Sequence, residues 1–541
     1  MQVKYSDAPI CIQPFVYGTI YSMEKIATDI YSFEELRKKG FTYVDKTDVL
    51  WPLVNESVGK QFFLARPRRF GKSLLISTLR ALFEGKREFF QGLAIESKWN
   101  WSKSWPVIHL DLGTVQAGTI PEFREQLLGL LRSEAARLDV TFRESTLPDV
   151  SFRYLIEDVA KSSPDGHCVV LIDEYDKPLL GHLSKPDVTQ FRDALKPFYG
   201  VVKYAEARQR FTFITGISKF SKVSIFSDLN NLIDLTMTPG EATLLGYTHD
   251  ELKKFFPGAL AHIGEKNGQD AVWAFNEVVK WYDGYRFHPD ARKVVNPVSF
   301  GLCAKDGEFT NYWSKTAMTT FLVDALKVQP FDFSTIGITE TELDAYEPEN
   351  PRLVTLLYQT GYLTIRSMTR IGSFRRYEMA FPNLEVEDSF LSALAPVYAG
   401  LNRQGSVNYQ LLAAEALLTG DTDRLVKVFR TFFADIPYDL TDRQNEQSWQ
   451  AIVYVVLRSI GVGVGAEVKT NDGRIDMVCD TPDHIYLIEF KLDRSAEEAL
   501  EQIDRNDYAA KYDLAGKRVV KIGVSFSSEK RTITDVKVSP S

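Results

Sequence analysis

The sequence predicts an α/β protein with two separate sheets, and three observations carry this prediction. Residues 62–83 have the pattern of an apolar strand, a turn rich in proline and arginine, and a helix with apolar residues at helical spacing. A second apolar run, at 168–172, ends in two acids. Two strand patterns within 473–491 are followed by a helical pattern and another strand. We therefore expect an N-terminal sheet domain, a connector and a smaller C-terminal sheet domain.

The turn after the first strand has the composition of a phosphate-binding loop. Gly71, Lys72 and Ser73 match the last three positions of G-x-x-x-x-G-K-[ST], the P-loop pattern. The helix that follows would present free N–H groups and a positive dipole end to a phosphate. We expect ATP as the cofactor, with Lys72 on the β- and γ-phosphates and the Ser73 hydroxyl on Mg²⁺.

Three arginines crowd this loop, which in other proteins relies on glycine for close backbone approach. Arg66 stands at the first glycine of the pattern, and Arg68 and Arg69 follow. We assign Arg68 and Arg69 to the nucleotide site, where they would supply charge to the phosphates. Contact with nucleic acid is the alternative for all three. The sequence predicts ATP binding and leaves open whether Arg66 permits hydrolysis.

The acids after the second apolar run are expected at the same edge of the sheet. A run of this kind is typical of a buried parallel strand, and ligands bind at the carboxyl ends of such strands. Asp173 would hold the Mg²⁺ shell, and Glu174 would act as the catalytic base that polarises water. A third strand pattern, at 211–216, ends in a polar tip, where Thr215 would sense the γ-phosphate.

The C-terminal strand patterns place acids and a lysine together. Period-two alternation puts Glu489 and Lys491 on one face of a strand, and Asp476 approaches Glu489 across a hairpin turn at 480–484. Two carboxylates suit a hydrated Mg²⁺ ion, which would activate water against a phosphodiester. Lys491 would orient that water or offset the developing charge. The alternative is an exposed salt-bridge face.

The spacing D-x(12)-E-x-K is that of a PD-(D/E)XK nuclease core. A helical pattern at 449–457 precedes the hairpin, and a helix at 496–512 and a strand at 519–526 follow it. Glu446 would add an acid, as a further metal ligand, from the first helix. Gln502 would face the site from the second helix.

Taken together, the chain resembles the AAA-ATPase-like proteins that carry a C-terminal PD-(D/E)XK nuclease-like domain. The resemblance covers nearly the whole chain, and the loop of that family also begins with Arg-Pro. It implies a fold and a site rather than a biological role. The matching segments are 43–47, 66–73, 171–178, 215–220, 282–287, 296–297, 311–313, 359–363 and 473–491.

Composition fits an intracellular enzyme, because 44% apolar and 25% charged residues are ordinary for globular domains. No apolar run reaches the length of a membrane span, and no secretion signal begins the chain, so we expect a cytoplasmic protein without a membrane partner. The cysteines at 11, 168, 303 and 479 are widely spaced. Neither a zinc site nor a disulfide framework is therefore predicted.

Charge is the feature least typical of a nucleic-acid enzyme. The chain has a net charge of −8, and residues 441–541 hold 14 Lys and Arg against 17 Asp and Glu. Positive charge must therefore be gathered locally or supplied by a metal. The expected substrate is nucleic acid, with DNA favoured over RNA, and a homo-oligomer is left open. Lys517, Arg518 and Lys521 form a basic cluster that we interpret as solvated surface.

We divide the chain into an AAA-ATPase-like P-loop domain at 24–240, a mainly helical connector with a winged element at 241–435, and a nuclease-like domain at 440–541. Three arginines outside the loop are weaker candidates for phosphate contact: Arg286 as a sensor, and Arg208 and Arg210 as fingers across a subunit boundary. The predicted function is ATP-dependent gating of metal-dependent phosphodiester cleavage. The alternative is a nucleotide-regulated, partner-binding switch with an inactive nuclease-like domain.

Overall fold

The computed structural model covers a chain of 541 residues and describes most of them. Glu446 and most of the helix predicted at 449–457 lie outside the described residues. The described residues are 24–183, 185–219, 231–313, 336–344, 352–399, 403–434, 453, 457–458, 463–470, 473–530 and 532–540.

The N-terminal part of the chain alternates helices with strands. Its helices pack on both faces of a sheet whose strands are almost fully buried, which is typical of a parallel α/β arrangement. The elements are α1 (Phe33–Lys38), α2 (Thr47–Val54), β1 (Gln61–Ala65), α3 (Lys72–Phe83), β2 (Val107–Asp111), α4 (Ile120–Arg137), α5 (Pro148–Ser162), β3 (Cys168–Asp173), α6 (Lys177–Leu180), α7 (Val188–Tyr204), β4 (Gln209–Gly216) and β5 (Ile233–Asp234).

The described strands of this part form a parallel sheet in the order β2-β3-β4-β1-β5. Because all five strands run in one direction, their carboxyl ends share one edge. The loop after β1 and the acids after β3 therefore lie at the same edge of the sheet, although β4 separates the two strands. This is the arrangement that the sequence predicted.

The helix of the phosphate-binding loop begins where glycine permits it. Gly71 caps α3 with a φ of 93°, in the left-handed region that favours glycine. Leu75, Leu79 and Leu82 then bury one face of the helix against the sheet. The turn thus aims the amino end of α3 at the edge where β1 and β3 end.

The middle of the chain is mainly helical and contains a small antiparallel sheet in the order β6-β8-β7. Gly361, with a φ of 91°, ends a helix, and the strand that follows begins at Thr364. The elements are α8 (His249–Phe255), α9 (Pro257–Lys266), α10 (Ala271–Tyr282), α11 (Pro297–Asp306), β6 (Gly337–Thr339), α12 (Glu340–Asp344), α13 (Leu353–Thr360), β7 (Thr364–Ile371), β8 (Phe374–Ala380), α14 (Leu384–Ala399), α15 (Arg403–Thr419) and α16 (Thr422–Ala434).

The C-terminal part forms a third sheet, of five strands in the order β13-β12-β11-β10-β9. The outer strands, β9 and β13, extend the predicted core at both edges. The helix predicted at 496–512 ends earlier, at Arg505, because the chain turns at Asp507, whose φ is 44°. The β11–β12 pair is parallel, with the helix as its crossover. The elements are β9 (Gly463–Thr470), β10 (Gly473–Asp480), β11 (His484–Leu492), α17 (Ala496–Arg505), β12 (Arg518–Ser527) and β13 (Thr532–Pro540).

The three parts are packed against one another. The Tyr486 hydroxyl on β11 donates a 2.8 Å hydrogen bond to the Leu417 carbonyl on α15. At the other boundary, a Cβ on Gly361 would lie 2.7 Å from Pro67 of the phosphate-binding loop, so the connector lies directly against that loop. Among the described residues, no helix has the length and apolar character needed to cross a bilayer.

Candidate nucleotide and nuclease sites

A cavity of about 890 Å³ opens at the carboxyl edge of the N-terminal sheet. The phosphate-binding loop and the acids after β3 line one side of it. Leu244, Leu245 and Tyr247, which follow the sheet in sequence, line another side. The cavity therefore gathers most of the residues predicted for the nucleotide: Arg68, Arg69, Gly71, Lys72, Ser73, Asp173 and Glu174.

Lys72 is held inside its own loop. Its ammonium group donates hydrogen bonds to the carbonyls of Arg66 (3.0 Å) and Pro67 (2.9 Å), and the residue is 8% exposed. Burial lowers the pKa of Lys72, and the neighbouring carboxylates of Asp173 and Glu174 oppose that shift. The ammonium is thus positioned by neutral acceptors that an anionic ligand would replace.

Ser73 and Asp173 line the same cavity, and their shared role in a Mg²⁺ shell stays a prediction. Burial raises the pKa of Asp173, while the neighbouring Ser73 side chain and the charge of Lys72 oppose the increase. Hydroxyl and carboxylate oxygens are hard donors of the kind that Mg²⁺ prefers, so the residues present fit the ion.

Glu174 occupies a strained position beside Asp173. Its φ is 49°, a conformation that a residue with a side chain rarely adopts. A Cβ on Gly113 would lie 2.9 Å from a Glu174 carboxylate oxygen and 2.9 Å from an Asp111 oxygen, so only glycine leaves room for these two acids. Burial raises the pKa of Glu174, and the charges of Lys177 and Lys72 counteract the shift.

Asp111 is a residue of the cavity that the sequence reasoning missed. It ends β2 and lies in register with Asp173 at the end of β3. Residues 107–111 are a short apolar run that His109 interrupts and an acid closes, a signal similar to the one that identified residues 168–173. Applying that signal twice would have found Asp111.

Arg66 does not face the nucleotide cavity, which excludes the predicted options of phosphate or nucleic-acid contact for this side chain. It is 1% exposed, and its guanidinium donates to the carbonyls of Ala65 (2.9 Å), Thr236 (2.8 Å) and Glu241 (3.2 Å). The group also lies over the Phe287 ring, 4.1 Å from its centroid. Burial lowers the pKa of Arg66 to about 10. Arg66 therefore connects the phosphate-binding loop to Thr236, Glu241 and Phe287.

The other two loop arginines remain at the cavity. Arg69 adopts a φ of 66° and donates a 3.0 Å hydrogen bond to the Tyr312 carbonyl of the connector. Arg68 is half-buried and lines the same cavity. Their assignment to phosphate contact stays a prediction.

Thr215 lies at the predicted strand tip but not in the cavity wall. It is fully buried, and its hydroxyl donates a 2.8 Å hydrogen bond to the Leu64 carbonyl of β1. This geometry argues against the predicted role as a γ-phosphate sensor, because the hydroxyl is already engaged inside the sheet.

Asp176 organises the end of β4 instead. It is 1% exposed and accepts hydrogen bonds from the main-chain N–H groups of Ile217 and Ser218 and from the Ser218 hydroxyl. A Cβ on Gly216 would lie 2.5 Å from one of its oxygens. The carboxylate thus fixes the strand tip beside the phosphate-binding loop.

The three further arginine candidates lie away from the cavity. Arg210 is the second residue of β4, at the opposite end from the carboxyl edge, where it pairs with Glu56 at 2.6 Å. Arg208 is exposed just before it. Arg286 donates to the Arg366 carbonyl at 3.3 Å. None of these arginines lines the cavity, so the structure does not support phosphate contact by them within one chain.

In the C-terminal sheet, Asp476 and Glu489 come together across the β10–β11 hairpin. The Asp476 carboxylate accepts a 2.8 Å hydrogen bond from the Phe490 main-chain N–H, and the Asp476 N–H donates to the Glu489 carboxylate at 3.4 Å. Burial, and then the charge of Asp476, raise the pKa of Glu489 to about 7. Each carboxyl group thus disfavours the charged form of the other, an effect that a cation bound between them would reduce.

Lys491 and Gln502 complete this cluster. The Lys491 ammonium lies 3.3 Å from a Glu489 oxygen and donates to the Phe490 carbonyl at 3.0 Å. The Gln502 amide donates to the same Glu489 oxygen from α17. A Cβ on Gly523 would lie 2.2 Å from the Ala496 carbonyl, so glycine on β12 is what allows α17 to approach this closely.

The donors of the C-terminal cluster are oxygens, which fits Mg²⁺ with waters completing its shell. In the part of the chain that the structure describes, no group of three or more His, Cys, Asp or Glu side chains is placed to hold a metal ion. The predicted extra acid, Glu446, lies outside the described residues. Asp476 and Glu489 are thus the described candidates for this site.

Two of the three residues in the basic cluster near the C-terminus are paired with acids. Lys517 lies 2.5 Å from an Asp480 oxygen, and Lys521 lies 2.7 Å from an Asp504 oxygen. These exposed pairs support the interpretation of this cluster as solvated surface.

Comparison with known proteins agrees with both parts of the structure. Residues 27–226 match the family described as a predicted AAA-ATPase, and residues 444–536 match the PD-(D/E)XK nuclease superfamily, which confirms the predicted fold class. A protein of Azotobacter chroococcum mcd 1, named "Uncharacterized protein in vnfD 5'region", is 35% identical over 530 residues, covering 95% of this chain and 98% of the relative. The chain therefore belongs to the family of AAA-ATPase-like proteins with a C-terminal domain of the PD-(D/E)XK nuclease superfamily.

Proposed function

We propose that the chain is an ATP-hydrolysing, Mg²⁺-dependent nuclease, in which the nucleotide state of the N-terminal domain controls phosphodiester cleavage by the C-terminal domain. The observation that carries the proposal is the meeting of Asp476, Glu489 and Lys491 at one point of the C-terminal sheet. In the same chain, Lys72 and Ser73 lie at the amino end of α3, beside a cavity large enough for a nucleotide.

In the N-terminal cavity, Lys72 would exchange its two carbonyl acceptors for phosphate oxygens. Ser73 and Asp173 would hold Mg²⁺, which when bound neutralises phosphate charge. The apolar side chains of Leu244 and Leu245 offer a surface for the adenine ring of ATP.

Glu174 is the proposed base for ATP hydrolysis. Burial raises its pKa, which strengthens it as a proton acceptor near neutral pH. Glu174 would orient a water molecule and take its proton as the water oxygen bonds to the γ-phosphorus. The bond from that phosphorus to the bridging oxygen breaks, which leaves ADP and inorganic phosphate.

In the C-terminal site, Asp476 and Glu489 would hold Mg²⁺, which lowers the pKa of a bound water and stabilises charge on a phosphodiester oxygen. Gln502 keeps the Glu489 carboxylate in place. Lys491 would orient the attacking water and offset charge at the phosphorus. The water loses a proton to solvent as its oxygen bonds to phosphorus. The bond from phosphorus to one sugar oxygen breaks, and that oxygen takes a proton from solvent, which leaves a phosphate monoester and a sugar hydroxyl.

Nuclease activity is tested by incubating the full-length protein with linear DNA, circular DNA and RNA, in Mg²⁺ or Mn²⁺ and with ATP present. Lys491→Ala should abolish cleavage. Lys521→Ala, on the neighbouring strand, is the matched control and should cleave as wild type does. Retained cleavage in Lys491→Ala would place the activity elsewhere. If no nucleic acid is cut while ATP still binds, the chain is a nucleotide-regulated switch instead.

ATP turnover is tested separately by phosphate release. Glu174→Gln should retain ATP binding and lower turnover by about 100-fold or more, as expected when a general base is removed. Glu96→Gln, a surface acid on the same domain, is the control. Unchanged turnover in Glu174→Gln would remove Glu174 from the mechanism without affecting the nuclease proposal.

A further inference from the structure

The hairpin formed by β7 and β8 carries a concentration of positive charge that neither site uses. Between residues 366 and 378 there are four arginines and one glutamate, a net charge of +3 in a chain whose net charge is −8. All four arginines are exposed. We call residues 364–380 the arginine hairpin; its arginines are Arg366, Arg370, Arg375 and Arg376.

Two of these arginines face each other directly. Arg370 on β7 is the cross-strand partner of Arg375 on β8. Like charges in this position destabilise a hairpin, so the arrangement has a cost that folding alone does not explain. A bound polyanion would turn the same pair into a favourable contact.

The structure provides little neutralisation of this charge. Arg375 lies 3.1 Å from Glu340, but both side chains are about half exposed, and such surface pairs contribute little. Among the described residues, Arg366, Arg370 and Arg376 have no acidic side chain within ion-pair distance. The one glutamate of the hairpin, Glu378, accepts a hydrogen bond from Ser367.

The tip of the hairpin is apolar and exposed. Ile371 and Phe374 form the last cross-strand pair, and they are 59% and 66% exposed. The exposed ribbon therefore presents an apolar end flanked on both strands by arginines. This combination suits a partner that offers both phosphates and flat base edges.

We propose that the arginine hairpin docks on double-stranded DNA, with its arginines on phosphates and its tip in the major groove. The major groove of B-DNA admits a two-stranded ribbon, whereas the major groove of A-form RNA is too deep and narrow. The inference rests on the proposed function, because the bound duplex would be the substrate of the C-terminal site. The arginine hairpin would supply the local positive charge that residues 441–541, with their net negative charge, lack.

The test is fluorescence anisotropy with the full-length protein and a short labelled DNA duplex, in EDTA so that no metal-dependent cleavage occurs. Arg370→Ala/Arg375→Ala should weaken binding by about 30-fold at about 150 mM salt, because each lost phosphate contact removes a factor of roughly 5.5 under the usual salt dependence. The slope of log affinity against log salt should fall by about 1.8. Arg370→Lys/Arg375→Lys should recover most of the affinity.

The matched control is Arg124→Ala/Arg153→Ala, which removes the same charge from exposed positions on α4 and α5. It should bind as wild type does. Equal affinity of wild type and Arg370→Ala/Arg375→Ala would overturn the proposal, as would equal binding of double-stranded RNA or of anionic lipid vesicles. If Arg370→Ala/Arg375→Ala loses DNA binding but wild type never cleaves DNA, the docking proposal stands and the nuclease proposal fails. The failure of one proposal is therefore distinguishable from the failure of the other.

Discussion

The Arg69 guanidinium donates a 3.0 Å hydrogen bond to the Tyr312 carbonyl, which joins the phosphate-binding loop to the connector. The main-chain N–H groups of Tyr312 and Trp313 in turn donate to the Glu385 carboxylate, at 2.9 and 2.8 Å. Two residues further along α14, Glu387 pairs with Arg458. A line of polar contacts therefore leads from the nucleotide cavity toward the C-terminal part of the chain.

Removing the Arg69 side chain should uncouple the connector from the nucleotide. In wild type, ATP and Mg²⁺ should change the hydrogen-exchange protection of peptides covering 311–313 and 384–391, because a phosphate would compete for the Arg69 guanidinium. In Arg69→Ala that change should disappear while protection of α3 by ATP persists. Arg87→Ala, an exposed arginine remote from the cavity, is the control; an unaltered response in Arg69→Ala would rule out this contact as the link.

Glu385 should make stability depend on pH. Burial raises its pKa from 4.5 to about 7. A folded-state pKa above the unfolded value means that the favourable contribution is complete below about pH 4.5 and is lost as pH rises toward 7. Glu385→Gln should melt like wild type near pH 5. At pH 8 its free energy of unfolding should exceed that of wild type by about 3 kcal/mol, read as a higher melting temperature. The exposed control Glu308→Gln should show no such trend; a constant difference between Glu385→Gln and wild type would contradict the assignment.

Arg66 should matter for stability rather than for nucleotide contact. Arg66→Ala removes the guanidinium donor from two buried carbonyls and one partly buried carbonyl, and removes the group that covers Phe287. We expect a loss of about 3 kcal/mol or more in unfolding free energy, read as a lower melting temperature. Arg68→Ala should instead weaken ATP binding with little change in melting. Normal stability in Arg66→Ala would show that the buried contacts are not needed.

Glu489 should stabilise the fold less when it is ionised than when it is neutral. With its pKa raised to about 7 by burial and by Asp476, the favourable contribution is lost as pH rises through that value. In EDTA at pH 8, Glu489→Gln should therefore melt above wild type, and the difference should vanish near pH 5. The same substitution should remove the stabilisation of wild type by Mn²⁺. Glu501→Gln on α17 is the control, and Mn²⁺ stabilisation that survives in Glu489→Gln would exclude Glu489 as a ligand.

The sequence was informative where a function depends on neighbours in the chain. Gly71, Lys72 and Ser73 form one turn, and a strand followed by acids is a local pattern, so their arrangement was predictable. Glu489 and Lys491 are two residues apart on a strand, which fixes their common face.

It was less informative where partners are distant in sequence. Arg66 is held by carbonyls about 170 residues later, so the loop pattern alone does not reveal which way its side chain turns. Glu385 is bound by main-chain groups more than 70 residues away, and Thr215 is engaged by a neighbouring strand. No periodicity signals such contacts, because they depend on how distant segments pack.

The most direct test of the central claim measures cleavage of linear DNA in Mg²⁺ with ATP and without nucleotide, for wild type, Lys72→Ala and Lys491→Ala. We predict that ATP changes the cleavage rate of wild type, that Lys72→Ala cleaves at a rate independent of ATP, and that Lys491→Ala does not cleave although ATP still raises its melting temperature. A wild-type cleavage rate that is the same with and without ATP would contradict nucleotide control of the nuclease.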